Sequence, residues 1–174
     1  IDHTTPLVGR NNVVLAVEAK KLHVSKDCLA VHSPVFDALF FRGFEEKDKE
    51  EIELRDVGYK EMVDLLNVIH PTGIDINAPT LSHILVLADR FQIQGVLKRA
   101  ESYLIRSTQF ETIAKLKFAD DYRLNRLLVR FLKALKVISF LCYFIINSIF
   151  QPTPEYEEFS DKTKAAICDR MMDL

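Results

Sequence analysis

The order of periodicities along this chain constrains its fold more than any other feature: strand-like residues come first, and helical spacing fills almost everything after them. Val13, Val14, Leu15, Ala16 and Val17 form a β-branched-rich run with apolar residues on both faces. Lys21 to Val24 can return antiparallel to it across Glu18 to Lys20. This predicts a hairpin buried on both sides. Ser25 is placed to cap a short helix with Asp27 in its first turn, and Ser33 followed by Pro34 is a strong second start signal. Val35, Phe36, Leu39 and Phe40 then give one apolar stripe, which stops near Gly43. A solvated acidic stretch follows, with seven acidic and three basic residues between Glu45 and Asp56, and it runs into a short strand at Ile52 to Leu54. From Tyr59 the residues Met62, Leu65, Leu66 and Ile69 recur at helical spacing until Pro71 and Gly73 end the pattern. Leu81, Ile84, Leu85 and Ala88 repeat it, and Gly95 separates them from Val96, Leu97, Ala100, Tyr103 and Leu104. It resumes at Ile113 and Leu116, and again from Leu124 to Leu135. Strands followed by many helices read as α+β: a small, mainly antiparallel sheet flanked by helices, with a C-terminal helical extension.

Composition narrows the function classes. The 174 residues are 48% hydrophobic and 28% charged, which suits a compact domain rather than a disordered chain. With 23 Lys plus Arg against 25 Asp plus Glu the net charge is -2, so no basic field invites nucleic acid or an anionic membrane. Cys28, Cys142 and Cys168 are far apart and odd in number, which fits neither a disulfide framework nor a zinc knuckle. A reducing compartment, cytoplasmic or nuclear, is expected. The chain opens on Ile1 and residues 1 to 12 carry no apolar signal core, so it reads as a fragment or as following a domain not included.

Catalytic chemistry is not expected. The five histidines lack the spacing of a metal site, and His32 is only loosely paired with Cys28 at i, i+4, with no activating charge or oxyanion donor nearby. No phosphate loop, nucleophile elbow or HExxH occurs, and nothing fixes two carboxylates across a substrate. No enzyme, cofactor or metal is therefore anticipated.

Three stretches carry a resemblance: LHVSKDCLAVHSPVFDALFF, then IELRDVGYKEMVDLLNVIHP, then ILVLADRFQIQGVLKRAESYL. Within them the L-A-x-x-S-P-x-F turn, the D-V-x-Y-x-x-x-x-x-L-L pair and the A-D-R-F turn occur in order. Together they resemble the BTB/POZ domain, over residues 12–107. In detail the stretch is similar to the BTB domain of MATH-BTB proteins, in which a substrate-binding MATH domain precedes the BTB domain. The implied organisation is an N-terminal segment over 1–11, the BTB domain over 12–107, a post-BTB helical pair over 108–136, an apolar insertion over 137–151 and a C-terminal helix over 152–174. The fold implied is the BTB/POZ fold.

The resemblance implies a dimeric, non-enzymatic adaptor that links the cullin scaffold of a RING ubiquitin ligase to an unknown substrate protein. The family's cullin contact is a hydrophobic residue, any residue, then Glu, in the loop after the second helix; Phe44, Glu45 and Glu46 fit it as they stand. A partner groove would gain about 1.5–3 kcal/mol by burying such a side chain; the alternative is that Phe44 folds back onto its own helix. Phe91 matches an aromatic at the family's cullin interface, with helix-junction core as the alternative. For dimerisation, as homodimer or BTB heterodimer, the resemblance points to Leu29, Ala30, Val35 and Phe36, each of which also suits plain intramolecular core. The family's second role, transcriptional repression through a charged pocket, is disfavoured: Asn12 stands where an Asp is expected, Ser25 where a His precedes Lys, and Val31 with His32 where a basic residue completes the pocket. A self-association scaffold or transcriptional cofactor without cullin binding is the other reading. Ala19 replaces a hairpin glycine of close relatives, so a turn that needs positive φ is expected to be shifted or strained there.

One segment fits none of this. VISFLCYFIINSIFQ, residues 137–151, has no charged residue and four aromatics between charged helical segments. Its 14 residues before Gln151 would span roughly 21 Å as a helix, short of the ~30 Å hydrocarbon core. A buried helix or a partner-binding stripe are two readings. The preferred one is a translated intron: a Val codon begins GT, Ile-Phe-Gln can be written ATTTTTCAG, and the run is in frame. Removing it joins KALK to PTPEYEEFSDKTKAA, a polar loop before a last helix capped by Ser160. If translated, the run is an aggregation risk.

Overall fold

The structure, a computed structural model, describes residues 3–4, 12–42, 51–70, 73–133 and 158–172. The stretch carrying Phe44 and Glu46, and the apolar run 137–151, lie outside the described residues. The chain divides into two compact units, residues 1–100 and 101–174.

In the first unit, β1 (Asn12–Val17) and β2 (Lys20–Ser25) pair antiparallel, with Val13 opposite Val24 and Leu15 opposite Leu22. A third strand, β3 (Glu51–Glu53), lies parallel to β1 with Ile52 opposite Leu15, so the order is β2-β1-β3 and the small sheet is mixed. The hairpin is buried on one face, not two. Val13, Leu15, Val17, Leu22, Val24 and Ile52 share the core face, whereas Val14 and Ala16 are half-buried. Period-two alternation wins over the continuous apolar run because the sheet is fully covered on one side only.

The hairpin turn is not shifted by Ala19. Glu18 and Ala19 both take positive φ, 49° and 60°, closing a two-residue loop of the type I′ kind. That conformation normally favours Asn or Gly, so both residues carry strain. The Glu18 carboxylate has a use there: it accepts the Tyr59 backbone N–H at 3.0 Å, capping a helix whose own N-cap residue, Gly58, has no side chain to offer.

Helix α1 (Lys26–His32) starts at Ser25, whose hydroxyl accepts the Cys28 N–H, and α2 (Pro34–Phe41) starts at Ser33 with Pro34 in the first turn. Beyond β3 come α3 (Tyr59–Ile69), α4 (Ala78–Arg90) and α5 (Gln94–Arg106). Asn77 and Thr80 form a reciprocal capping box on α4. Its C-terminus is not at Gly95, as the sequence suggested, but at Phe91. Gln92 supplies the left-handed turn with φ 53°, and Gly95 sits inside the first turn of α5 with open space where a Cβ would be. Met62, Leu65, Leu81, Ile84 and Leu85 carry these helices into the core. Two arginines hold the connecting loops: Arg90 donates to the Arg55 and Asp56 carbonyls, both at 2.8 Å, and Arg99 donates to the Val68 carbonyl at 2.5 Å near the end of α3.

The second unit holds α6 (Thr112–Asp121), a helix α7 over 125–133 and α8 (Asp161–Met172). Glu101 is buried at 4% exposure, and its carboxylate accepts the Leu127 N–H at 3.0 Å, capping α7 from outside its own sequence. Leu116, Phe159 and Ile167 form the local core, with Leu128, Phe131 and Leu132 packed against it.

Candidate interaction surface

The site is built around the corner between α1 and α2. Ser33 is 1% exposed and satisfies every polar atom it has. Its N–H donates to the Leu29 carbonyl, closing α1, and its carbonyl accepts the Asp37 N–H, opening α2. Its hydroxyl oxygen accepts the Phe36 N–H at 3.1 Å, and the hydroxyl proton goes to the Phe91 carbonyl at 2.6 Å. One side chain therefore ties the α1–α2 corner to the α4–α5 corner, 58 residues away in sequence. Beneath this knot the Phe36 ring stacks on Phe91 at 4.6 Å between centroids and on Phe40 at 5.6 Å.

Against that core the outer side of α2 is left over. Helix α2 is apolar at seven of its eight positions, Asp37 being the exception, yet the core takes only Phe36 and Phe40. Val35, Ala38 and Leu39 are half-buried and, with Pro34 and Gln92, line an open groove. Phe41 is 40% exposed, and Val31, at the end of α1, is 83% exposed. A helix apolar all round is normally buried all round, and among the described residues this face is left incompletely covered. Asp37 in the first turn of α2 pairs with Arg42 at its C-cap at 2.7 Å.

The residues singled out from sequence fall into three groups. Leu29, Phe36 and Phe91 are core residues within this chain, at 2%, 0% and 4% exposure. Ala30 and Val35 are half-buried and face outward in part. Phe44 and Glu46 are outside the described residues. Sequence reasoning missed Val31, Ala38, Leu39 and Phe41 as surface; the available signal was the absence of a polar face on α2. It also missed the second role of Ser33, for which no local pattern exists.

Elsewhere the titratable groups sit where structure uses them. His83 and Asp64 pair at 3.0 Å between α4 and α3. Cys28 is a half-buried free thiol, and His32 is exposed. Among the described residues no group of three His, Cys, Asp or Glu could hold a metal, and no helix is long and apolar enough to cross a membrane.

A family model described as the BTB/POZ domain matches residues 10–108. The chain belongs to the BTB/POZ domain family. It is similar to BTB and MATH domain-containing protein 36 of Caenorhabditis elegans, 47% identical over 116 residues that cover 67% of this chain and 36% of that protein. To BTB and MATH domain-containing protein 38 of the same organism it is 34% identical over 163 residues, covering 94% of this chain and 41% of that one. The chain thus spans well under half the length of either relative. Among solved structures it is similar to the BTB domain of zebrafish PATZ1, with TM-score 0.47 and 20% identity, covering 55% of this chain and 75% of that chain. The BTB domain is a protein-interaction module, and the corner at Ser33 and the leftover face of α2 lie within the matched region.

Proposed function

We propose that this BTB chain is a dimeric adaptor that links a cullin-RING ubiquitin ligase scaffold to substrate proteins. The observation that carries it is the α1–α2 corner, where Val31, Val35, Ala38, Leu39 and Phe41 remain incompletely buried on a rigid base of stacked phenylalanines. A second copy of the domain covers that face in this reading, so that Ala30 and Val35 are contact residues while Leu29 and Phe36 act from beneath by fixing the helices. The cullin contact is the Phe44–Glu46 pattern that follows α2 in sequence, with Phe91 contributing from the core. Dimeric form gives bivalency, which raises avidity for a substrate with several binding segments. Similarity to two BTB and MATH domain-containing proteins supports a role in choosing or delivering other proteins rather than in catalysis.

The experiment is a pull-down of the cullin N-terminal region by wild type and Phe44→Glu, with light scattering on both. Binding by wild type, loss of binding in the variant and an unchanged dimer mass are expected. A variant that binds as well as wild type removes Phe44 from the contact. Wild type that binds no cullin overturns the adaptor reading.

A further inference from the structure

The second unit carries a feature that partner binding by the first does not use. At the start of α8, three hydrogen bonds converge on one carboxylate. Asp120 Oδ2 accepts the Ser160 backbone N–H at 2.6 Å, and Oδ1 accepts the Ser160 hydroxyl at 2.5 Å and the Thr163 hydroxyl at 2.7 Å. The Ser160 oxygen also accepts the Thr163 N–H, so this serine caps the helix and locks it to the end of α6 at the same time. Thr163 is buried, but Ser160 is exposed.

We propose that Ser160 is a phosphorylation site and that its bond to Asp120 makes it a latch for α8. In the step, the Ser160 hydroxyl oxygen attacks the γ-phosphorus of a nucleoside triphosphate held by a protein kinase. The hydroxyl proton passes to the kinase's base, and the P–O bond to the nucleoside diphosphate breaks. A phosphate at a helix N-terminus ordinarily stabilises the helix, but beside Asp or Glu it repels. Here the local charge decides the sign. The modified oxygen has no proton left to donate, and about 1.5–2 negative charges arrive within contact range of the Asp120 carboxylate. Asp121, Glu158 and Asp161 add to the negative field, against which Lys117 pairs with Glu158 and the Lys164 ammonium acts on Asp120 itself. The Asp121 carboxyl is raised first of all by burial, with Asp120 and Glu158 adding to the rise against Lys117. The sequence around the serine, Glu155, Glu157 and Glu158 before it and Asp161 after it, suits a kinase that reads acidic substrates.

Release of α8 has a defined consequence. Its Ile167, with Phe159 just before the helix, covers Leu116, with Leu128, Phe131 and Leu132 alongside, and Leu116 and Phe131 also line an open apolar groove with Leu104 and Leu127. Unlatching joins the covered seat to the open groove. This inference does not depend on what the first unit binds.

The test uses the full chain with phosphoserine installed at position 160, read by hydrogen exchange of the 161–172 amides. Protection is expected to fall about tenfold or more relative to the unmodified chain. Ser160→Ala, which keeps the backbone and Thr163 bonds to Asp120, falls by less. Asp120→Asn in the phosphorylated chain recovers protection, because the repulsion is gone; a purely steric effect of phosphate would show no recovery. Unchanged protection in the phosphorylated chain overturns the latch. A separate arm incubates the unmodified chain with an acid-directed serine kinase and adenosine triphosphate; fragmentation that finds no phosphate at Ser160 overturns the modification site.

Discussion

Ser33 gives the sharpest test of the physical account. Ser33→Ala removes an N-cap acceptor, worth about 1 kcal/mol within a range of 0.5–2. It also strips the donor from the Phe91 carbonyl in a site that is 1% exposed, and a buried acceptor left unsatisfied costs about 1–3 kcal/mol. The two sum to roughly 2–4 kcal/mol, and at 2–4 °C per kcal/mol for a chain of this size the melting temperature falls by roughly 4–16 °C. Circular dichroism melts and urea titrations of the full chain measure both. Ser33→Gly separates the contributions, since glycine at an N-cap costs only a few tenths of a kcal/mol; it is expected to be intermediate, its residual loss reporting the Phe91 bond. If Ser33→Ala melts within about 0.5 kcal/mol of wild type, as ordinary surface substitutions do, the knot holds nothing and the reasoning fails. If Gly matches wild type while Ala does not, the capping argument stands and the long-range bond does not.

Other outcomes follow from single contacts. Glu101→Ala leaves the start of α7 uncapped and should cost about 1.5–3 kcal/mol, the range for a hydrogen bond to a charged group, whereas Glu101→Gln keeps an acceptor and should cost less; chemical denaturation followed through exchange of the 125–133 amides distinguishes them. Gly73→Ala places a Cβ 2.7 Å from the His70 carbonyl and 2.8 Å from that of Val68, so the backbone must move; a loss of about 1–3 kcal/mol is expected for such overpacking, and a melt equal to wild type would show the loop is not held as described. Burial alone would raise the Asp120 carboxyl, but hydrogen bonds from the Ser160 hydroxyl and N–H and the Thr163 hydroxyl, with the Lys164 ammonium, outweigh it and hold the group below its ordinary 3.8. A depressed folded value means the contribution is present above the unfolded pKa and is lost as pH falls through the folded one. Asp120→Asn should therefore narrow its stability gap to wild type only below about pH 4, and an equal gap at pH 7 and at pH 3 would refute the assignment.

Much of the fold is legible in the residues themselves because it rests on local rules. Ser25, Ser33 and Ser160 each announce a helix start, and each caps one: the hydroxyl reaches an N–H only two or three residues ahead, so nothing distant is needed. Helical periodicity from Met62 to Ile69 and from Leu81 to Ala88 likewise marks the buried faces of α3 and α4. The sequence points to Gly95 for the break before α5 because a glycine is a visible punctuation mark and Gln92 is not; tertiary contacts, the Phe91 stack and the Ser33 bond, hold Gln92 in a left-handed turn that its own preference does not specify. The hairpin's burial differs for a similar reason, since an apolar run allows both faces to be covered and only the packing selects one.

The sequence by itself determined the α+β class, the BTB resemblance, the helix starts and the surplus of apolar residues on α2, all of which are carried by neighbours within a few positions. Tertiary structure alone decided what that surplus means. Phe36 and Phe40 turn inward onto Phe91, and Val35, Ala38, Leu39 and Phe41 are left toward the surface, a division no pattern of period 3.6 can make when nearly every position is apolar. It also decided that Ser33 meets Phe91 and Asp120 meets Ser160, bonds between residues 58 and 40 positions apart, because a hydrogen bond across such a separation exists only once the elements that carry it have packed.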